Sequence, residues 1–264
     1  MISTLIDTHS HLLPGVDHGC PDLETSLEMA RAAAESGVST VICTPHLLEM
    51  EPEDIQQARE VVDQVRAALQ TAGIRLDLLL GFEVDLVIAA TRSLEELKTL
   101  AVEGSKGVIV LEMPYEGWPR FLEETLFRLT TWGLQPVLAH PERNDRIQRS
   151  PELLSGCLRA GAVAQATAAS LTGEFGRGPE RAFHRLLAEG SIGLLASDAH
   201  AYRTDGWTLG PVLDSLRKTL DEADLATLVQ KNPERLLAGQ TLLKVRLKGG
   251  DASWPTRSWR LRGC

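Results

Sequence analysis

The chain has 264 residues, 43% apolar and 24% charged, a mix that excludes disordered, collagen-like and coiled-coil chains and suits one large α/β domain. Its net charge of −9 and its 5% aromatic content leave neither a general basic surface nor base-stacking platforms, so nucleic-acid binding is not expected. The charge is uneven: residues 244–264 hold six basic side chains and one acid, which leaves −14 on residues 1–243.

Short β-branched runs alternate with longer helical patterns. In chain order, the pattern predicts a strand over Ser3–Asp7 and a helix over Asp22–Ser36, with Asp22 as cap and Gly37 as stop. A strand over Val38–Thr44 and a helix over Pro52–Ala72 come next, the helix placing Ile55, Val62, Val65 and Leu69 on its apolar face. A strand over Leu76–Leu80 precedes Leu86–Ala101, which reads as a helix or an irregular insertion. The remaining strands fall over Gly107–Glu112, Gln135–Ala139, Ala162–Thr167 and Ile192–Ser197. Helical patterns separate or follow them over Pro119–Trp132, Pro151–Ala160, Pro179–Ala188 and Leu209–Leu220. Continuously apolar strands alternating with helices imply a parallel sheet, either open and doubly wound or closed into a barrel. Residues 1–243 read as a single domain and 244–264 as a basic tail, solvated or docked on an acidic partner or a membrane surface.

Cys20, Cys43, Cys157 and Cys264 show no CxxC spacing, and Cys43 sits in an apolar run as a small core residue. No apolar stretch is long enough to span a membrane, and Asp7, His9 and His11 interrupt the N-terminus where a signal peptide would be apolar. A reducing cytoplasm is the expected location.

The strand ends carry the chemistry. The first strand runs into Asp7-Thr8-His9-Ser10-His11, the second into Thr44-Pro45-His46, the third into Gly81-Phe82-Glu83 and the fourth into Leu111-Glu112. The fifth meets His140-Pro141-Glu142-Arg143 and the seventh meets Ser197-Asp198-Ala199-His200. In a closed barrel these positions converge on the face that carries active sites; in an open sheet they would spread along an edge. The distribution therefore favours a barrel. Gathered without cations, so many imidazoles and carboxylates would be a costly cluster; two or more divalent ions resolve it. His9 and His11, at i and i+2 on an extended strand, point both rings to one face. Asp7 reads as a partner orienting an imidazole, and Asp17 and Glu142 as residues that shape loops.

At these residues the sequence resembles the polymerase and histidinol phosphatase (PHP) superfamily, and within it the bacterial manganese-dependent tyrosine-protein phosphatases of capsule and exopolysaccharide synthesis. The matching stretches are DTHSHLLPGVDHG (7–19), GVSTVICTPH (37–46), GFE (81–83), LEMP (111–114), PVLAHPERN (136–144) and LLASDAH (194–200), with NPERLL (232–237) near the end. The resemblance implies an α/β fold, a distorted seven-stranded barrel of the PHP type, and a centre of two or three divalent ions: manganese first, iron or zinc as alternatives. It implies His9, His11, His46, Glu83, Glu112, His140, Asp198 and His200 as ligands. A ninth comes from the loop where the family usually has Asp-Asp-Gly; here Asp17-His18-Gly19 puts His18 in the place of the second Asp. Either His18 ligates, or Asp17 turns in to replace it.

Phosphate hydrolysis by water activated on divalent ions needs no side-chain nucleophile, and no cysteine here is followed by Arg six positions on, as thiol phosphatases require. Arg143 and Arg203, each three residues after a candidate ligand, can fork onto phosphoryl oxygens; the resemblance implies a phosphate-binding role for both. Tyrosine is a better leaving group than serine, so phosphotyrosine in proteins is the expected substrate and a bacterial tyrosine kinase a candidate partner. A PHP-type phosphoesterase acting on a small phosphate ester or a phosphotriester is the alternative. The sequence assigns no oligomeric state.

Overall fold

The structure, a computed structural model, describes residues 4–47, 51–201, 207 and 209–248. Its strands are β1 (Leu5–Ser10), β2 (Val38–Cys43), β3 (His46–Leu47), β4 (Asp77–Leu80), β5 (Glu83–Val84), β6 (Val108–Glu112), β7 (Gln135–Ala139), β8 (Val163–Thr167) and β9 (Leu194–Ala196). All pair in parallel, in the orders β1-β2-β4 and β3-β5-β6-β7-β8-β9.

These strands follow the seven runs read from the sequence. β2 and β4 match the runs expected to end at Thr44 and Leu80, and each resumes beyond that end, after Thr44-Pro45 as β3 and after Gly81-Phe82 as β5. Pro45 has no N–H to donate, which interrupts a ladder. Pairing nonetheless continues across the break, because the Gly81 N–H donates to Cys43 O (2.8 Å) and the Glu83 N–H to Pro45 O (3.0 Å). Gly81 is required there: a Cβ would lie 2.8 Å from Val102 Cγ2. The last strand returns to the first through Asp198 N–H to His9 O and His11 N–H to Ala199 O, both 3.0 Å. The result is a parallel α/β barrel of seven strand runs, distorted where two of them are broken.

The strands are buried on both faces and the helices pack outside. The helix Pro52–Ala72 opens on Pro52, buries Ile55, Val62, Val65 and Leu69, and stops at Gly73 in the left-handed region (φ 67°). Leu86–Ala101 forms two short helices, Leu86–Thr91 under an Asp85 cap and Leu94–Lys98 under a Ser93–Glu96 capping box. Helix Asp145–Arg149 was not legible in the periodicity, since five residues are too few to show a 3.6-residue repeat. β1 begins later than expected and runs through Ser10, so His9 lies within the strand rather than beyond it. Among the described residues no helix is long and apolar enough to cross a membrane. Most of the basic tail, from residue 249 on, lies outside the described residues.

Candidate metal centre

One carboxylate organises the centre. Parallel register sets Glu83, the first residue of β5, beside His46 of β3 and Val110 of β6. Its Oε2 lies 3.1 Å from His46 Nδ1, 3.3 Å from His11 Nε2 and 3.4 Å from His9 Nε2, while Oε1 is 2.8 Å from His140 Nε2. His9 and His11, carried two residues apart along one strand end, bring their Nε2 atoms within 3.2 Å of each other. From the opposite side, Asp198 Oδ1 lies 3.4 Å from both of those nitrogens and 3.6 Å from His200 Nδ1. Glu112 Oε2 stands 3.6 Å from His46 Nδ1. The His18 ring stacks on His46 at 4.9 Å and lies 5.1 Å from His200. All nine sequence-predicted ligands are thus neighbours.

The donor geometry fits divalent cations. Atoms bound about 2.1 Å from a common ion lie roughly 3.0–3.4 Å apart in octahedral or tetrahedral coordination, which is the spacing of these nitrogens and oxygens. Buried Glu83 Oε2 has no hydrogen bond although imidazole nitrogens surround it, as expected of an oxygen that serves an ion. The charges agree. Burial would push His9 down, but the Glu83 and Asp198 carboxylates hold it up at about 9. Conversely, burial would raise Glu83, yet His9, His11 and His140 keep it well below the usual carboxylate range. Among the described residues four overlapping donor sets lie within reach of an ion: His11-His46-His200, His9-Glu83-His140, His9-His11-Asp198 and His46-Glu83-Glu112. Mixed imidazole and carboxylate donors suit manganese, iron or zinc.

The supporting groups differ in part from expectation. Asp17 turns toward the far side of His11, its Oδ2 2.7 Å from His11 Nδ1, and the same carboxylate accepts the backbone N–H groups of Gly19 (2.8 Å) and His46 (3.0 Å). It therefore fixes the His11 ring and the loop together. Asp7 does not orient an imidazole; its Oδ1 accepts the backbone N–H of Ser197 (3.0 Å) and of His9 (3.4 Å), which ties β1 to β9, and burial pushes it up to about 6. Buried Glu142 Oε1 accepts Thr167 N–H (2.9 Å) and Ser170 Oγ–H (2.7 Å). Two of the ligating candidates, His140 (φ 37°) and Asp198 (φ 51°), hold left-handed backbone, a conformation that costs non-glycine residues and clusters at functional sites. His140 is kept there by its N–H to Gln165 O (2.8 Å) and by Arg143 N–H to His140 O (2.9 Å).

Arg143 stands beside the cluster with Nη1 3.0 Å from Asp198 Oδ2. Its guanidinium carbon is 4.5 Å from the centre of the Tyr115 ring and 3.9 Å from that of Phe175. All three line a cavity of about 720 Å³ that reaches Glu83, His140 and Asp198. Arg203 lies outside the described residues. Tyr115, Phe175 and Gln165 were missed in the sequence. Tyr115 follows Glu112 by three residues on the active face, a signal open to use, whereas Phe175 and Gln165 carry no local pattern. Among the described residues the thiols are held protonated: burial pushes Cys43 and Cys157 up to about 12 and Cys20 to about 11.

Known proteins share this architecture. The tyrosine-protein phosphatase YwqE of Bacillus subtilis is 35% identical over 91% of this chain and 94% of its own. A chain from the crystal structures of YwqE and of CpsB from Streptococcus pneumoniae, described as metal-dependent tyrosine phosphatases, superposes with a TM-score of 0.79 at 34% identity, covering 91% of this chain and 97% of that one. A variant organophosphorus hydrolase of Deinococcus radiodurans, 18% identical, superposes with a TM-score of 0.56 over 89% of this chain and 93% of its own and shows the fold alone. The family model for capsular polysaccharide synthesis, CpsB/CapC, matches residues 5–238, and the chain belongs to that family.

Proposed function

We propose that this protein is a metal-dependent phosphatase that hydrolyses phosphotyrosine in proteins. The observation that carries the reading is the meeting, at one cavity, of the imidazole–carboxylate cluster around Glu83 with the guanidinium of Arg143; the relatedness to YwqE and its solved structure supports it. Divalent ions, when bound, supply Lewis-acid activation of water and offset the charge on the phosphoryl oxygens. His9, His11, His18, His46, Glu83, Glu112, His140, Asp198 and His200 are the residues that would hold two or three of them, and manganese heads the proposed metals. Arg143 binds the phosphoryl group through the in-plane N–H groups that Asp198 does not use, and the family resemblance gives Arg203 the same role. None of the described thiols acts as nucleophile, since burial keeps them protonated. Burial raises Tyr115 to about 12, so it remains a neutral phenol. With no strong general acid in the set, a phenolate is the leaving group the site handles best.

The substrate is proposed to be carried on a bacterial tyrosine kinase or its phosphorylated product, in the cytoplasm, where the free thiols of Cys20, Cys43 and Cys157 suit a reducing medium. Residues 1–243 are proposed as one catalytic domain followed by the basic tail. The test is a panel of phosphotyrosine peptide, p-nitrophenyl phosphate, histidinol phosphate and a phosphotriester on the manganese-loaded and chelated protein. Turnover of the first two, lost on chelation and restored by manganese, is expected; no turnover of either in the loaded protein would overturn the proposal. Arg143→Ala is expected to lower kcat/KM by about 10²–10³-fold, the scale of losing one charge-stabilising group, with bound metal unchanged.

A further inference from the structure

We infer that Tyr115 and Phe175 determine specificity: together they fix the plane of the Arg143 guanidinium and form the subsite for the substrate's aryl ring. The inference rests on the phosphatase reading and names which ester that site selects. The three side chains come from three successive loops, after β6, β7 and after the short helix Ala168–Thr172 that follows β8. The first two loops are pinned to each other. Asp145 N–H donates to Tyr115 O (2.8 Å), and Asn144 Nδ2 donates to Pro114 O (2.6 Å) and Gly117 O (3.0 Å); within the second loop, Gln148 Nε2 donates to Arg143 O (3.0 Å). Ring faces 4.5 and 3.9 Å from the guanidinium carbon cover a planar cation and leave its edge, where the N–H groups lie, to face the cavity. One edge donor is taken by Asp198 Oδ2. The others are left for a phosphoryl group that bridges Arg143 and the cluster.

The same rings form the cavity wall around that point. Tyr115 is 45% exposed and stacks on His140 at 5.7 Å, so it reaches from a candidate ligand to the cavity mouth. A phosphoryl group held by Arg143 carries its ester substituent just beyond the bridging oxygen, against this wall. An aryl substituent finds two aromatic rings and desolvated surface there; a short alkyl group finds little.

Calorimetric titration of the manganese-loaded full chain with phenylphosphonate and methylphosphonate separates ring recognition from turnover. The wild type is expected to bind phenylphosphonate more tightly. Phe175→Leu is expected to weaken phenylphosphonate about tenfold, the order of losing a partly desolvated aromatic contact, and methylphosphonate much less. In p-nitrophenyl phosphate hydrolysis it should raise KM more than it lowers kcat. Phe175→Tyr and Tyr115→Phe should restore both readouts, whereas Tyr115→Leu should repeat the loss; metal content checks that His140 is undisturbed. Equal weakening of the two phosphonates in Phe175→Leu, or none, would overturn the inference. A wild type that discriminates between the phosphonates yet hydrolyses no phosphate ester would instead overturn the phosphatase reading alone.

Discussion

Glu83 shows how much one side chain can organise. Four imidazole nitrogens lie within 2.8–3.4 Å of its two oxygens, so neutralising it removes both a candidate ligand and a charge that raises the pKa of His9 and His11. Glu83→Gln is expected to lose at least half of the bound metal and nearly all turnover, read by elemental analysis and p-nitrophenyl phosphate hydrolysis; full metal content would remove Glu83 from its central role. Glu142, fully buried, makes a different point. Burial raises its pKa, and the hydrogen bonds from Ser170 and Thr167 only partly oppose this. A carboxyl with a raised folded-state pKa contributes stability that is intact below its unfolded value, near 4.5, and is lost as pH rises through the folded value. Glu142→Gln keeps the Oε1 acceptor and cannot ionise. Its melting temperature relative to wild type should therefore rise between pH 5 and pH 8, in thermal melts of the two proteins; parallel pH responses would contradict the burial argument.

At the scale of elements, function depends on where strands stop. The breaks at Thr44-Pro45 and Gly81-Phe82 turn two long runs into four short strands and place His46 opposite Glu83, an alignment that alternation in a single strand does not predict. The loop after β1 is equally constrained. A Cβ on Gly19 would fall 2.1 Å from His11 Cβ and 2.6 Å from His11 O, so any other residue must push this loop away from the strand end. Asp17, which holds both the His11 ring and the His46 backbone, sits on that loop with His18. Gly19→Ala is therefore expected to lower metal occupancy and turnover together and to destabilise the fold by about 1–3 kcal/mol, the usual cost of overpacking, measured by denaturant unfolding and elemental analysis. Wild-type occupancy would show that the loop can shift without disturbing the ligands.

For the whole molecule, the centre is also a cross-brace, because its candidate ligands come from six separate strand ends. Ions that bind the folded chain and not the unfolded one stabilise it by about 2.7 kcal/mol at a hundredfold excess over Kd. Chelation should then lower the melting temperature by about 5–10 °C for a chain of this size, reversed by manganese; an unchanged melt would mean the barrel holds the cluster without cations. The sequence by itself determined the alternation of strands and helices, the barrel and the set of candidate metal-ligating side chains. Each of these is written in local order: apolar runs, caps, and a His, Asp or Glu just past a strand. It did not determine Asp7's attachment to backbone, the role of Asp17 on His11, or the Tyr115–Arg143–Phe175 stack. Those depend on loops from separate strands arriving at one point, and their distances are set by strand register and closure of the barrel. Only the tertiary structure decided them, because no spacing along the chain encodes which two loops will touch.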